Sequence, residues 1–390
     1  MRKLKFVSLF CGGGGLDIGF IKAGLQPVAA YDIAPSAIAH YKHNIGSHGQ
    51  VCDLSQKIKI DHECDVVVAG APCQGFSTIG KRDYHDPRNQ LLAAAVNHAL
   101  HLTPRAIVLE NVPGLMSGGH RVYLEKAIQK LRRGGYNVTI QLIDGTKIGL
   151  AQARKRVVVI ATKEKVEVDI VQDGSKRNSL GNVLKEIDGT SDHDPLFLSG
   201  EKYSISERIS EGMKLCDVRG GESSVHTWNI PEVYGVTTPA EREVLLCIMR
   251  LRRSIRSRTF GDADPVDVLE VEKVIGRSVK KNISDLLRKN YLREVGGRID
   301  LKRTFNGKYR RAKRDGVSFT VDTKFGDPSY FLHPWEARGF TIREAARIQG
   351  FPDSYAFMGS QAQKFKLLGN AVPPPMAECV GRALIRALRH

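Results

Sequence analysis

Lys5-Phe6-Val7-Ser8-Leu9-Phe10-Cys11-Gly12-Gly13-Gly14-Gly15-Leu16 decides the fold: a short apolar run breaks abruptly into four glycines. Such a run reads as a buried strand, and the glycines as the turn that opens a helix. Without a Cβ, glycine lets the main chain approach a ligand closely, and the amides at the helix start point toward it. Comparable apolar runs recur at Pro27–Tyr31, Asp65–Ala69, Ala106–Leu109, Val138–Leu142 and Arg156–Ala161, with helical patterns such as Pro35–Asn44 and Gln90–Leu102 between them. That alternation is the rhythm of a doubly wound, Rossmann-like α/β sheet. Asp32, at the end of the second run, is placed to hydrogen-bond both hydroxyls of a ribose, and Asp53 to accept from the amino group of an adenine. In the plainer alternative both acids only cap loops. Together they point to an adenosine-containing cofactor without saying which.

Farther along, the pattern changes. The chain is expected to divide into a cofactor-binding domain over residues 1–164, a polar second domain over 165–330, and a segment over 331–390 that returns to the first. Within the second domain, Pro239–Arg253, Val266–Ile275 and Ser278–Asn290 have helical patterns, with Ser278 as a candidate N-cap. Leu292–Glu294 and Arg298–Arg303 flank Gly296-Gly297 as a hairpin. Three helices and a hairpin are the outline of a winged helix, in which one helix can enter a major groove; the alternative is a purely structural helical insert. Helical periodicity returns at Thr341–Gln349 and Met376–Leu388.

Composition narrows the class. The 390 residues carry 59 Lys and Arg against 42 Asp and Glu, a net charge of +17 that suits a partner made of phosphates. Seven cysteines without a C-x-x-C pair suggest neither a disulfide framework nor a zinc site, and fit a reducing compartment. The first apolar run meets glycines and Asp17 too early for a signal-peptide core, and no stretch has the length of a membrane span, so a cytoplasmic protein is expected.

Three further motifs sit at strand ends. Gly70-Ala71-Pro72-Cys73-Gln74-Gly75-Phe76-Ser77 follows the run Asp65–Ala69, placing a cysteine where open α/β sheets bind their substrates. A lone cysteine is most often a core residue, but Gly, Pro and Ser here describe a loop. Glu110-Asn111-Val112-Pro113-Gly114 follows Ala106–Leu109, and its carboxyl group suits general-acid or hydrogen-bonding work. Gln152-Ala153-Arg154-Lys155-Arg156 leads into Val157–Ile160; alternate arginines entering a strand would point to one face and could bind a phosphate or a carbonyl oxygen.

In this order the motifs resemble those of the cytosine-5 DNA methyltransferases of bacterial restriction-modification type. Pro72-Cys73-Gln74, Glu110-Asn111-Val112 and Gln152-x-Arg154-x-Arg156 match catalytic segments of that family, Thr341–Asp353 its late structural helix, and Gly369-Asn370-Ala371-Val372-Pro373 its closing cofactor motif. The match spans Lys5–Thr162 and Pro334–His390; the divergent middle is implied to be the target-recognition domain. The resemblance implies S-adenosylmethionine (SAM) as cofactor, held by Phe10, Gly12, Gly14, Gly15, Leu16, Asp32, Ile33, Asp53, Leu54, Gly70, Pro72, Leu91, Asn370 and Val372. It implies Cys73 as nucleophile, with Gln74, Ser77 and Asn111 near the substrate.

Carbon 5 of cytosine is a poor nucleophile until something adds at carbon 6, and a thiolate is suited to that addition. Glu110 at N3 would then stabilise the developing charge. Arg154 and Arg156 are expected at O2 and a flanking phosphate, with the assignment between them open. The target carbon lies inside the duplex stack, so the cytosine must flip out. Lys280, Lys281, Arg288, Arg310, Arg311, Lys313 and Arg314 are candidates to hold double-stranded DNA by its phosphates. A monomer is expected, functionally paired with a restriction endonuclease but not in stable complex with it. The rival classes are a relative acting on transfer RNA, a Rossmann dehydrogenase, and a catalytically silent DNA-binding regulator.

Overall fold

The computed structural model describes residues 2–72, 87–174, 178–255 and 263–389. In chain order the sheet strands and helices of the first part are β1 (Lys5–Leu9), α1 (Gly15–Ala23), β2 (Gln26–Asp32), α2 (Pro35–Asn44), β3 (Gly49–Val51), β4 (Val66–Ala69), α3 (Leu91–His101), β5 (Ala106–Asn111), α4 (Arg121–Arg133), β6 (Asn137–Asp144) and β7 (Lys155–Thr162). There follow α5 (Leu180–Val183), α6 (Gly200–Glu207), β8 (Lys214–Cys216), β9 (Ser224–Val225), α7 (Pro231–Tyr234), α8 (Pro239–Ser254), α9 (Val268–Ile275) and α10 (Lys280–Arg288). The chain continues through β10 (Leu292–Val295), β11 (Arg298–Leu301), β12 (Asn306–Lys308), β13 (Arg310–Arg311) and β14 (Phe331–Leu332), then α11 (Ile342–Ile348), α12 (Gln361–Asn370) and α13 (Pro374–Leu388).

Among the described residues the main sheet has seven strands in the order β3-β2-β1-β4-β5-β7-β6. The pairs from β3 to β5 are parallel, whereas β7 runs antiparallel to both its neighbours, so the sheet is mixed. Hydrophobic periodicity anticipates six of these strands; β3 (Gly-Gln-Val), an exposed three-residue edge, has no apolar run to announce it.

Alternation along the strands divides the core in two. Val7, Leu9, Val67, Ile107 and Leu109 pack with Leu92, Val96, Leu124 and Leu131 of α3 and α4. Phe6, Val66, Val68, Val108 and Val158 pack on the other face with Leu16 and Phe20 of α1 and with Met376, Val380 and Leu384 of α13. The central strands β4 and β5 are buried along their whole length, and so read as continuous apolar runs rather than alternating ones. Helix α13 comes close to α1 because both are glycine-notched: a Cβ on Gly19 would lie 2.3 Å from Pro374 O, and one on Gly381 2.7 Å from Ala23 Cβ.

Two compact units result. The first comprises Met1–His193, Asp315–Lys324 and Thr341–His390; the second comprises Asp194–Arg314 and Phe325–Phe340. The first break therefore falls well beyond the expected 164/165 boundary. Val168 and Ile170 join the core beside α13, and Gln141 of β6 holds both Ile170 N (3.2 Å) and Val168 O (2.5 Å), so this polar-looking stretch stays with the sheet.

The second unit has its own core, in which Val244, Leu245 and Ile248 of α8 meet Val271, Ile283, Leu286, Leu292 and Ile299. Helix α8 starts at a capping box, Thr238 with Glu241, with Pro239 at its first position. Under the core lies a buried ion pair, Arg252 Nε to Asp300 Oδ1 at 2.5 Å, with Arg293 on the other carboxylate oxygen at 2.6 Å. Ser278 is not the N-cap of α10: Val279 takes that position without a side-chain cap, and Ser278 Oγ donates to Glu272 instead.

Candidate active site

The turn after β1 is built on left-handed backbone. Phe10, Gly12 and Gly14 have φ of 56°, 54° and 83°, and Gly14 is the N-cap of α1. Asp32, at the end of β2, fixes this turn with both carboxylate oxygens: Gly12 N donates to Oδ2 and Ala34 N to Oδ1, each at 2.9 Å. The Gly-rich turn and the start of α2 are thereby set side by side.

Between them opens a cavity of about 500 Å³, lined by Phe10, Gly12, Gly15, Leu16 and Asp32 from the first strands and by Gly70 and Pro72 after β4. Glu110 and Arg156 line it from the ends of β5 and β7, and Asn370 and Val372 from the late segment. Two glycines of the cradle leave no room for a side chain: a Cβ on Gly15 would lie 2.4 Å from Val372 O, and one on Gly13 2.8 Å from Tyr355 Oη. A glycine cradle, the Asp32 carboxylate at the end of β2 and the apolar faces of Leu16 and Val372 fit an adenosine-containing cofactor of SAM's size.

Glu110 and Arg156 form the charged end. Arg156 Nε lies 2.8 Å from Glu110 Oε1, and both side chains are largely buried. Burial pushes the Glu110 carboxyl above its ordinary range, against the opposing pull of Arg156 and Arg154. The result is a carboxyl group poised to carry a proton beside a fixed cation.

Other expected residues sit elsewhere. Arg154 does not share a face with Arg156: it is 1% exposed and donates to the main-chain carbonyls of Val321 (2.9 Å) and Ala371 (2.8 Å). Gln152 does parallel work, accepting from Val321 N and donating to Gln349 Oε1. This half of the motif therefore ties the returning segments to the sheet, which corrects the expectation of a phosphate or base contact for Arg154. Asn111 is also buried: its amide donates to Ala71 O at 3.3 Å and its oxygen accepts from Val112 N, so it braces the loop after β4 rather than facing the cavity.

Ile33, Asp53, Leu54, Leu91 and Gly14 are not on the cavity wall. Ile33 is 62% exposed, Asp53 caps its own turn through Ser55 N, and Leu54 is core. Leu91 begins α3, and the open side of Gly14 is filled by Ile45 and Tyr41. Cys73, Gln74 and Ser77 lie outside the described residues. In the second unit Lys280 and Lys281 are exposed at the start of α10. Arg311, in contrast, is buried and donates to the carbonyls of Ser206, Ile209, His333 and Glu336, which removes it from the candidates for phosphate contact.

Sequence inspection missed one wall. Gln363, Lys366 and Leu367 of α12 line the cavity beside the expected Asn370, a spacing of three, four and seven that puts all four on one helical face. The signal was available in Ser360-x-x-Gln363, a capping box that starts α12. His40 of α2 and Met358 complete this side.

With this geometry in view, the comparisons are decisive. The model of the C-5 cytosine-specific DNA methylases matches residues 4–386, and the chain belongs to that family. It is a SAM-dependent DNA (cytosine-5)-methyltransferase. Among its relatives, the type II methyltransferase M.HgiBI of Herpetosiphon aurantiacus is 28% identical over 432 residues, covering 98% of this chain and 97% of that one. M.AgeI of Thalassovita gelatinovora is likewise 28% identical, covering 99% of each chain. A solved DNA modification methyltransferase encoded within an E. coli prophage superposes over the whole of both chains with a TM-score of 0.61 at 21% identity, a likeness of fold. The hydride-transfer, RNA-directed and silent-regulator alternatives are thereby set aside.

Proposed function

We propose that the chain methylates one specific duplex sequence through a covalent Cys73 adduct, as the modification half of a restriction-modification pair. What carries the reading is the Glu110–Arg156 pair on the wall of a cavity that also takes in Pro72, the residue before Cys73. The type II methyltransferases among its relatives support the pairing with an endonuclease. Such an enzyme would work in the cytoplasm, as a monomer.

When bound, SAM supplies an electrophilic methyl group. Asp32, the Gly12–Gly15 turn, Leu16, Asn370 and Val372 would hold it. The Cys73 thiolate forms a bond to carbon 6 of the cytosine, and the displaced electron density runs toward N3 and O2. Glu110 holds a proton at N3 and Arg156 donates to O2, interactions that strengthen as charge develops. Arg156 is preferred to Arg154 for O2 because Arg156 alone of the two is on the wall. After transfer, carbon 5 loses its proton and the Cys73–carbon 6 bond breaks, restoring the aromatic ring and the thiolate.

The second unit would recognise the target. The order α8, α9, α10, β10, β11 around one core supports a winged helix, and so does Val266, which pairs with Ile299 through two 2.8 Å bonds as a one-residue strand between α8 and α9. Lys280, Lys281 and Arg288 of α10 are exposed and suited to phosphates.

The test is incubation with labelled SAM and mixed genomic DNA, followed by bisulfite sequencing. One methylated sequence context is expected, abolished by Cys73→Ala while DNA binding persists. Undiminished turnover by Cys73→Ala would overturn the mechanism.

A further inference from the structure

One wall of the cavity is fastened by a buried histidine. The wall is the segment 356–359, of which Met358 and Gly359 line the cavity. It is fastened to α2 by two side chains one helical turn apart. Asn44 makes a double contact with Ala356, donating to its carbonyl at 3.0 Å and accepting from its amide at 2.7 Å. His40 Nε2 lies 2.8 Å from Met358 N, and Nδ1 lies 2.7 Å from Ser36 O.

These partners leave the ring no choice. A main-chain amide can only donate and a carbonyl can only accept, so Nδ1 must carry the proton and Nε2 the lone pair. A second proton on the ring would set N–H against N–H at Met358. The ring is 4% exposed, so water cannot easily replace the lost bond.

We propose that His40 is a positioning residue for the cofactor: in its neutral form it holds Met358 in the cavity wall, and its protonation weakens SAM binding. Among the described residues, the ionisable groups sharing the cavity with His40 are Asp32 of β2, Cys11 of the Gly-rich turn, Lys366 of α12, and Glu110 with Arg156 at the far end. Of the three other ionisable side chains on α2, Lys42 and His43 are exposed, and Tyr41 is buried with its hydroxyl donating to Asp17 Oδ1. The inference rests on SAM occupying this cavity.

The experiment is calorimetric titration of the full-length protein with SAM from about pH 8 to about pH 5, the span over which imidazoles in proteins charge. It compares the wild type with His40→Gln and His40→Phe. Gln keeps an acceptor for Met358 N but cannot gain a proton; Phe has no acceptor. Relative to His40→Gln, the wild-type Kd should rise toward the acid end, and His40→Phe should bind weakly throughout. Other titrating groups, including those of SAM itself, cancel in the comparison. A wild-type profile parallel to that of His40→Gln would overturn the inference.

Nitrogen-15 spectra of labelled histidine in the wild type give a measurement that needs no variant: Nε2 should be unprotonated in the SAM complex, and a protonated Nε2 would overturn the inference equally. Ala34→Trp, which fills the cavity, separates the two levels. It should abolish SAM binding; unchanged binding would refute the placement of the cofactor, and the role of His40 with it.

Discussion

Glu110 and Asp17 are both buried carboxyl groups, yet their burial serves different ends. Glu110 meets the cavity and an arginine, and its raised pKa keeps a proton available for N3. Turnover should therefore fall on the alkaline side as Glu110 ionises, whereas Glu110→Gln, whose amide donates at every pH, should lack that limb. Glu110→Ala should lower kcat by a factor on the order of 10² or more; a pH profile of kcat checks both. Asp17 meets no ligand. It accepts from Ser8 Oγ and Tyr41 Oη, each at 2.8 Å, and burial raises its pKa from 3.8 to about 6. Because the folded state holds this proton more tightly than the unfolded chain, the stabilisation is complete below about pH 4 and lost as pH rises through about 6. It amounts to about 3 kcal/mol on the pKa difference. Thermal unfolding of Asp17→Asn should lack this loss between pH 4 and 6.

At the scale of elements, the late helices do what the strand ends cannot: they close the cavity. Substituting Gly19 by Ala forces a methyl group against the Pro374 carbonyl, a backbone atom that cannot swing away. A destabilisation of about 1–3 kcal/mol is expected from overpacking. SAM should also bind more weakly, since Val372 on the wall directly precedes the helix that is pushed off; unfolding and SAM titration test the two effects. The two arginines of one motif should likewise part company. Arg154→Ala leaves buried carbonyls of Val321 and Ala371 without their donor and should cost about 2–5 kcal/mol of stability. Arg156→Ala should leave the ties of Arg154 to Val321 and Ala371 in place and lower kcat.

The sequence could not show that difference between the arginines. Spacing reports which residue types lie near a strand end, but Arg154 precedes the regular strand, and its direction is set by carbonyls far away in the chain. What was legible was what burial writes plainly. Val66–Ala69 and Ala106–Leu109 had to be apolar throughout because helices cover both faces, Gly13 and Gly15 had to be glycines because Tyr355 and Val372 fill their open sides, and Gly12 and Gly14 are favoured by their left-handed backbone. Edge strand β3 and helix α12, exposed along much of their length, carried no such mark.

For the whole molecule, two separate cores imply two separable failures. Asp300→Ala removes the carboxylate paired with Arg252, which is 2% exposed, and loss of one member of a buried pair typically costs about 3–5 kcal/mol. That damage belongs to the core of α8 to β11, so DNA binding should fall while SAM binding persists. If SAM binding and DNA binding were lost together, the two units would not be independent in stability.

The chain passes between those units at four points, after His193, Arg314, Lys324 and Phe340. The cavity needs Gly12 and Asp32 from before the first crossing and Asn370 and Val372 from after the last. During translation, then, the ribosome completes the entire second unit before the cofactor pocket can exist. A chain interrupted at any codon between these crossings would lack the Asn370 and Val372 side of the pocket that receives the methyl donor.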